Sequence, residues 1–276
     1  MRTGWRAALL TAGMMAAAAL SAQWFRYPTP DVPRLANGKP NLGAPTPKTA
    51  QGRPDLSGVW LISNALPCPK DLRDGDDCIE KLPLSREAVD FGANVPGGLP
   101  YQPWAAALVK QRVADLSKDD PHARCMPPNF PRAFAFPHHQ KFIQVPGLLV
   151  ILDEFNASYR QIFTDARPFP DDPQPSWNGY SSGKWEGDTL VVESIGFRDD
   201  LWLDMKGDPM TSAAKVTERL RRPNYGSLEI EVTVNDPKAY TKPWTVTLKE
   251  AMQVDTELAD EICLENEKSV QHMQGK

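Results

Sequence analysis

The sequence predicts a mainly β protein, an antiparallel β-barrel or barrel-like sandwich with one or two peripheral helices. Three observations carry that expectation. Leu228, Ile230, Val232 and Val234 alternate with Glu229, Glu231, Thr233 and Asn235, and Trp244, Val246 and Leu248 alternate with Thr245, Thr247 and Lys249. A period of two is the pattern of a strand with one buried face and one wet face. Turn signals punctuate the apolar runs at Pro146-Gly147, Glu186-Gly187-Asp188 and Pro223-Asn224-Tyr225-Gly226, as hairpins require. Proline is abundant, 27 of 276 residues, about twice the usual ~5%, which favours short elements joined by rigid turns.

Residues 1–22 have the pattern of a secretory signal peptide. Arg2 and Arg6 precede an apolar run from Ala7 to Leu20, and the small residues Ser21 and Ala22 follow. The run is shorter than the ~20 apolar residues that span a bilayer. The mature chain is therefore expected in the periplasm or outside the cell, with no membrane insertion after signal cleavage. Residues 23–53 form a proline-rich extended arm containing an echo, in which Gly38-Lys39-Pro40-Asn41-Leu42 resembles Gly52-Arg53-Pro54-Asp55-Leu56.

Residues 54–276 form a single β-rich domain with a helical insertion around 84–117. A first strand is expected from Leu56 to Asn64. Ser85 is placed to cap a short helix carrying Ala88 and Val89. Pro103 at a first helical position, followed by Trp104, Leu108, Val109, Val113 and Leu116, predicts the main helix with those side chains as its apolar stripe. Further strands follow at Lys141–Val145, Leu148–Glu154, Ser158–Thr164, Gly183–Trp185, Thr189–Ser194 and Val216–Arg222. Asp255 is expected to cap a last short helix with Leu258, Ile262 and Cys263.

The chain is 41% hydrophobic, 24% charged and 9% aromatic, with a net charge of −4, ordinary for a globular domain. Loss of Arg2 and Arg6 leaves 29 basic against 35 acidic residues. That mild acidity argues against nucleic acid and anionic membrane surfaces as partners. The four cysteines, Cys68, Cys78, Cys125 and Cys263, form an even set that in an exported chain points to disulfides. Cys68–Cys78 would close a local loop and Cys125–Cys263 a long one; other pairings remain open on the sequence alone.

Chemistry-bearing residues are few. No Gly-rich phosphate loop, G-x-S-x-G elbow or H-E-x-x-H pair occurs. His122, His138 and His139 lack metal-ligand spacing, and adjacent residues on a strand point to opposite faces, so no metal site and no cofactor are expected. More telling is Glu218, which lies between Val216 and Leu220 and faces inward if they do. Arg160 shares a strand face with Ile162. A buried carboxylate costs several kcal/mol unless paired, so Arg160 or Arg219 is expected to meet Glu218. The pair is either a register-fixing salt bridge or a polar anchor in a lumen, with Glu218 and His122 as the acid/base candidates.

Gly58-Val59-Trp60 resembles the G-x-W signature that opens lipocalins and related calycin barrels. There the tryptophan closes one barrel end beneath an arginine near the last strand; the last strand expected here carries no arginine. A broader resemblance runs through Asp120-Pro121-His122-Ala123-Arg124-Cys125, Arg160-Gln161-Ile162-Phe163, the block from Gly183-Lys184-Trp185-Glu186 to Val192, Glu218-Arg219 and Cys263-Leu264-Glu265-Asn266. These are similar to a family of exported bacterial β-rich proteins of unassigned function, in which a histidine often stands where this chain has Met210. Together these readings imply a calycin-like barrel that binds a small, partly apolar ligand through Trp60, Arg160, Trp185, Glu218 and Trp244. The alternatives are a metal-free lyase, isomerase or hydrolase using Glu218 or His122, and an envelope interaction protein that makes contact through its proline-rich arm.

Overall fold

A computed structural model describes residues 27–63 and 85–266. The residues assigned to the signal peptide, together with Cys68 and Cys78, lie outside the described residues. The strands are β1 (Gly58–Ile62), β2 (Gln140–Val145), β3 (Leu148–Asp153), β4 (Ser158–Phe163), β5 (Tyr180–Glu186), β6 (Thr189–Ile195), β7 (Leu201–Trp202), β8 (Pro209–Met210), β9 (Lys215–Asn224), β10 (Ser227–Asn235) and β11 (Trp244–Gln253). Nine of them close a barrel in the order β1-β11-β10-β9-β6-β5-β4-β3-β2, and β7 pairs with β8 outside it. Every barrel pairing is antiparallel except β4–β5, which is parallel and joins only Ile162–Phe163 to Ser181–Ser182. The sequence gives no sign of this seam, because the segment between β4 and β5 carries no regular element that would announce a crossover.

The alternating residues behave as expected. Leu228, Ile230, Val232 and Val234 are fully buried, as are Leu248, Val216 and Leu220. The turns at Pro146-Gly147 and Gly187-Asp188 make hairpins, with Gly147 and Gly187 at positive φ. At one barrel end, the base, Gly58 adopts φ +142°, and a Cβ there would stand 2.5 Å from the Met252 methyl. That φ is one L side chains rarely adopt, which is what calls for glycine here. Trp60 is fully buried beside it and donates its indole N–H to the Leu56 carbonyl at 3.0 Å.

The arm is laid across the base. Tyr225 and Gly226 donate to the Ala44 and Leu42 carbonyls, and Ala44 and Leu56 join the core. The sequence echo is also a structural one. Leu35 N–H to Lys39, Gly38 to Leu35 and Asn41 to Pro33 recur 14 positions later as Thr49 to Arg53, Gly52 to Thr49 and Asp55 to Pro47. Gly38 and Gly52 both sit at positive φ, so the repeated glycine-proline pattern encodes one turn built twice.

The opposite end, the mouth, is covered by helix α1 (Arg86–Val89), the 3₁₀ turn Phe91–Asn94 and residues 130–136. Ser85 caps α1, accepting from Ala88 N–H at 3.0 Å. Helix α2 (Pro103–Ala114) forms where expected, but its buried face is Ala105 and Val109; Trp104, Val113 and Leu116 are exposed. Trp104 instead hands its indole N–H to the Lys238 carbonyl at 2.7 Å, so the polar handle of the ring and not its apolar body decides its direction. The last helix starts later than expected. Among the described residues it spans Cys263–Asn266 (α3) and does not begin at Asp255, which takes a positive φ and accepts from Thr29 N–H. The predicted long-range disulfide, Cys125–Cys263, spans 138 positions and joins the middle of the chain to α3. No described helix is long and apolar enough to cross a membrane.

Candidate functional site

Alternation along β4 and β9 aims Arg160 and Glu218 into the lumen, and the two side chains meet there. Arg160 donates from Nη1 and Nη2 to the two Glu218 carboxylate oxygens at 3.0 and 2.5 Å. Its Nη2 also reaches Ser181 Oγ and Ser194 Oγ, each at 3.0 Å. Phe130 covers the guanidinium at 3.5 Å from the ring centroid. Glu218 has no exposed surface. The arrangement is bidentate, desolvated and hydrogen-bonded on its remaining sides, which is what an internal charge pair needs in order to be tolerated.

The other expected ligand contacts do not gather around this pair. Trp60 plugs the base, where Arg222 of β9 lies over its ring at 5.0 Å and donates to the Asp55 and Tyr225 carbonyls. An arginine thus covers the G-x-W tryptophan, supplied by β9 and not by the last strand. Trp185 is half-buried against the core on β5. Trp244 packs at the mouth on Phe91 and Tyr240, with ring centroids 6.1 and 5.5 Å away. His122 stacks between Phe136 and Phe155, at 4.5 and 4.4 Å, beside the disulfide. Burial, helped by the nearby Arg132 charge, lowers its pKa to about 4, so it is a neutral ring in an aromatic stack. His138 and His139 turn apart as expected, each pairing through Nδ1 with its own carboxylate, Glu261 and Glu154, at 2.9 Å.

What the sequence reading missed lies at the mouth. Asp153 continues the inward set Leu149, Ile151 on β3; Gln140 precedes Phe142 on β2; Glu250 continues Trp244, Val246, Leu248 on β11. All three are buried. Gln140 Nε2 donates to Asp153 Oδ2 at 2.8 Å, and Phe155 N–H donates to Asp153 Oδ1 at 2.9 Å. Desolvation outweighs those bonds and pushes the Asp153 pKa up to about 6. Glu250 is raised well above the usual carboxylate range by burial and then by Asp153, and its Oε1 has no partner. The signal was available: each residue holds an inward parity position, Gln140 and Asp153 at the ends of their strands and Glu250 within β11.

A crevice reaches this group between residues 128–134 and the ends of β2, β3 and β4. Its walls include Phe130, Phe134 and Ile151, its polar atoms come from Gln140, Asp153 and Arg160, and Tyr159 and Asn178 stand at the rim. It encloses about 20 Å³, room for one water. No protein-family model matches the chain, and no curated protein matches it.

Proposed function

We propose that this is an exported β-barrel protein that binds a small, partly apolar ligand at the mouth crevice, in keeping with the resemblance to exported β-rich proteins. The observation that carries the reading is the convergence of Asp153, Gln140 and Arg160 on one crevice lined by the Phe130 and Phe134 rings. A few polar groups aimed into an apolar cleft are what fixes a small ligand's orientation. In this reading Asp153 accepts a hydrogen bond from the ligand's polar end while the aromatic rings take its apolar part. Because the space holds one water, the ligand enters by displacing Phe134 outward. Arg160 and Glu218 form the rigid floor beneath, and Trp60 and Arg222 keep the base shut. Cys125–Cys263 and the leader-like N-terminus support export.

The test uses N-phenyl-1-naphthylamine, a neutral apolar probe with one N–H donor, titrated by fluorescence into the full mature chain. Saturable binding is expected, weakened at least tenfold in Asp153→Asn and strengthened in Phe134→Ala, which opens the crevice. Absence of saturable binding, or an affinity indifferent to both substitutions, overturns the reading.

A second reading rests on Asp153 alone. A buried carboxyl with a pKa of about 6 is suited to general acid/base work near neutrality. It requires a bell-shaped or sigmoid pH–rate profile centred near that value, lost in Asp153→Asn while probe binding survives.

A further inference from the structure

On the outer side of the mouth cap, three carboxyl groups meet around one lysine. Asp90 separates α1 from the 3₁₀ turn Phe91–Asn94, and Asp204 and Asp208 bracket the turn between β7 and β8. One oxygen from each lies within 4.8 Å of the other two. Asp204 and Asp208 have no exposed surface. Asp204 is held rigidly: Oδ1 accepts from Gly207 and Asp208 N–H at 2.8 and 3.0 Å, and Oδ2 from Phe91 N–H at 2.8 Å. Asp208 Oδ1 accepts from the Tyr101 hydroxyl at 2.6 Å. Asp90 caps Gly92 N–H at 2.8 Å and receives Lys206 Nζ at 3.1 Å. When these bonds are assigned, Asp208 Oδ2 is still buried and without a partner.

Charge and size together say what completes the group. With all three carboxyls ionised, the single Lys206 ammonium leaves two negative charges in a desolvated space; burial raises the pKa of Asp204 and Asp208 against that state, and one divalent cation would neutralise it. Oxygens on a calcium-sized ion sit about 2.3–2.6 Å from it, so opposite ligands are about 5 Å apart; around magnesium the limit is about 4 Å. Ligand oxygens all within 4.8 Å of one another admit the larger ion, whose flexible shell also suits carboxylates already fixed by backbone N–H groups. Asp90 and Lys206 are each about a third exposed, which gives the ion an entry side and room for the water ligands that fill its shell.

We propose that Asp90, Asp204 and Asp208 form a binding site for a calcium-sized divalent cation, with Asp208 Oδ2 as a direct ligand. The ion ties the α1 segment to the β7–β8 turn. Since Phe91 is bonded to Asp204 and packs on Trp244, it also fixes the cap over the barrel mouth. The rival occupant is a proton shared between Asp204 and Asp208.

Full mature chain, stripped with chelator, is titrated with Ca²⁺ and separately with Mg²⁺ by calorimetry, with thermal unfolding alongside. One saturable Ca²⁺ site is expected, with Mg²⁺ at least tenfold weaker. At a hundredfold excess over Kd, Ca²⁺ should raise Tm by roughly 5–10 °C. Asp208→Asn keeps the acceptor for Tyr101 and should cut Ca²⁺ affinity at least tenfold with an unchanged circular dichroism spectrum. Should that variant fail to fold, Asp90→Asn at the partly exposed ligand is expected to do the same. No saturable Ca²⁺ binding, equal Mg²⁺ affinity, or wild-type affinity in the variant overturns the proposal, and the shared proton then accounts for the pair.

Discussion

Replacing Asp153 with asparagine should make the protein's stability respond differently to pH, by an amount that follows from the site. Burial raises the Asp153 pKa from 3.8 to about 6, so the folded protein holds this proton more tightly than the unfolded chain does. The stability gained from that proton is complete below pH ~4 and is lost as pH rises through 6. At 1.36 kcal/mol per pKa unit the loss approaches ~3 kcal/mol. Asparagine is isosteric and never ionises. Its amide can serve Gln140 after a flip of the Gln140 side chain, so any offset in hydrogen bonding is constant with pH. Urea unfolding of both proteins at half-unit steps from pH 4 to 7.5 isolates the effect as a difference. The stability of Asp153→Asn relative to wild type should improve by about 2–3 kcal/mol across that range. A flat difference would mean that Asp153 titrates normally, and the argument that its site is desolvated would fall.

His122 gives the opposite slope. Its pKa is lowered to about 4, so its contribution is present above pH ~6.5 and lost as pH falls through 4; His122→Phe, which keeps the aromatic stack and surrenders only the unpartnered Nδ1, should gain about 3 kcal/mol on wild type between pH 7 and 4. Glu218→Ala strands a buried guanidinium and should cost about 3–5 kcal/mol in urea unfolding, whereas Glu218→Leu with Arg160→Met should recover most of it; a single-variant cost under ~1 kcal/mol would contradict the bidentate burial. Cys263→Ser opens a loop of 138 positions and should destabilise by up to about 5 kcal/mol in the chain-entropy model, read as a lower urea midpoint than that of the oxidised wild type.

The strands were legible because their patterns are local. Period-two alternation on β9, β10 and β11 fixes the face of every residue and aimed Glu218 inward; of the two partners it allowed, Arg160 of β4 meets Glu218, and Arg219 turns outward to Glu186. The same logic fails where one local pattern has two physical outcomes. Trp104, Val113 and Leu116 recur at helical spacing, yet α2 buries small Ala105 and Val109, and the Trp104 indole N–H is drawn to the Lys238 carbonyl. Asp255 reads as a helix cap but is recruited by Thr29 and Arg34 of the arm, more than 200 positions away. Contacts of that separation leave no trace in a window of ten residues. The parallel β4–β5 seam is of the same kind.

The closed base explains why the lumen expected from the sequence became a site at one end only. Trp60, Arg222, Tyr225, Leu56 and the arm residue Ala44 fill the base, and the Arg160–Glu218 pair with its two serines crosses the middle. Every lumen position toward the base is thereby apolar and packed or charged and saturated. Among the described lumen residues, polar groups with capacity to spare are Gln140 and Asp153 at the mouth ends of β2 and β3, and Glu250 of β11 near Asp153. A carboxyl such as Glu250, buried with an oxygen unpartnered, is costly in a folded interior, and stability alone gives no reason to place it beside Asp153. Packing therefore accounts for the floor of the barrel, while the unsatisfied chemistry collects at the mouth, where the chain has arranged aromatic walls and an opening.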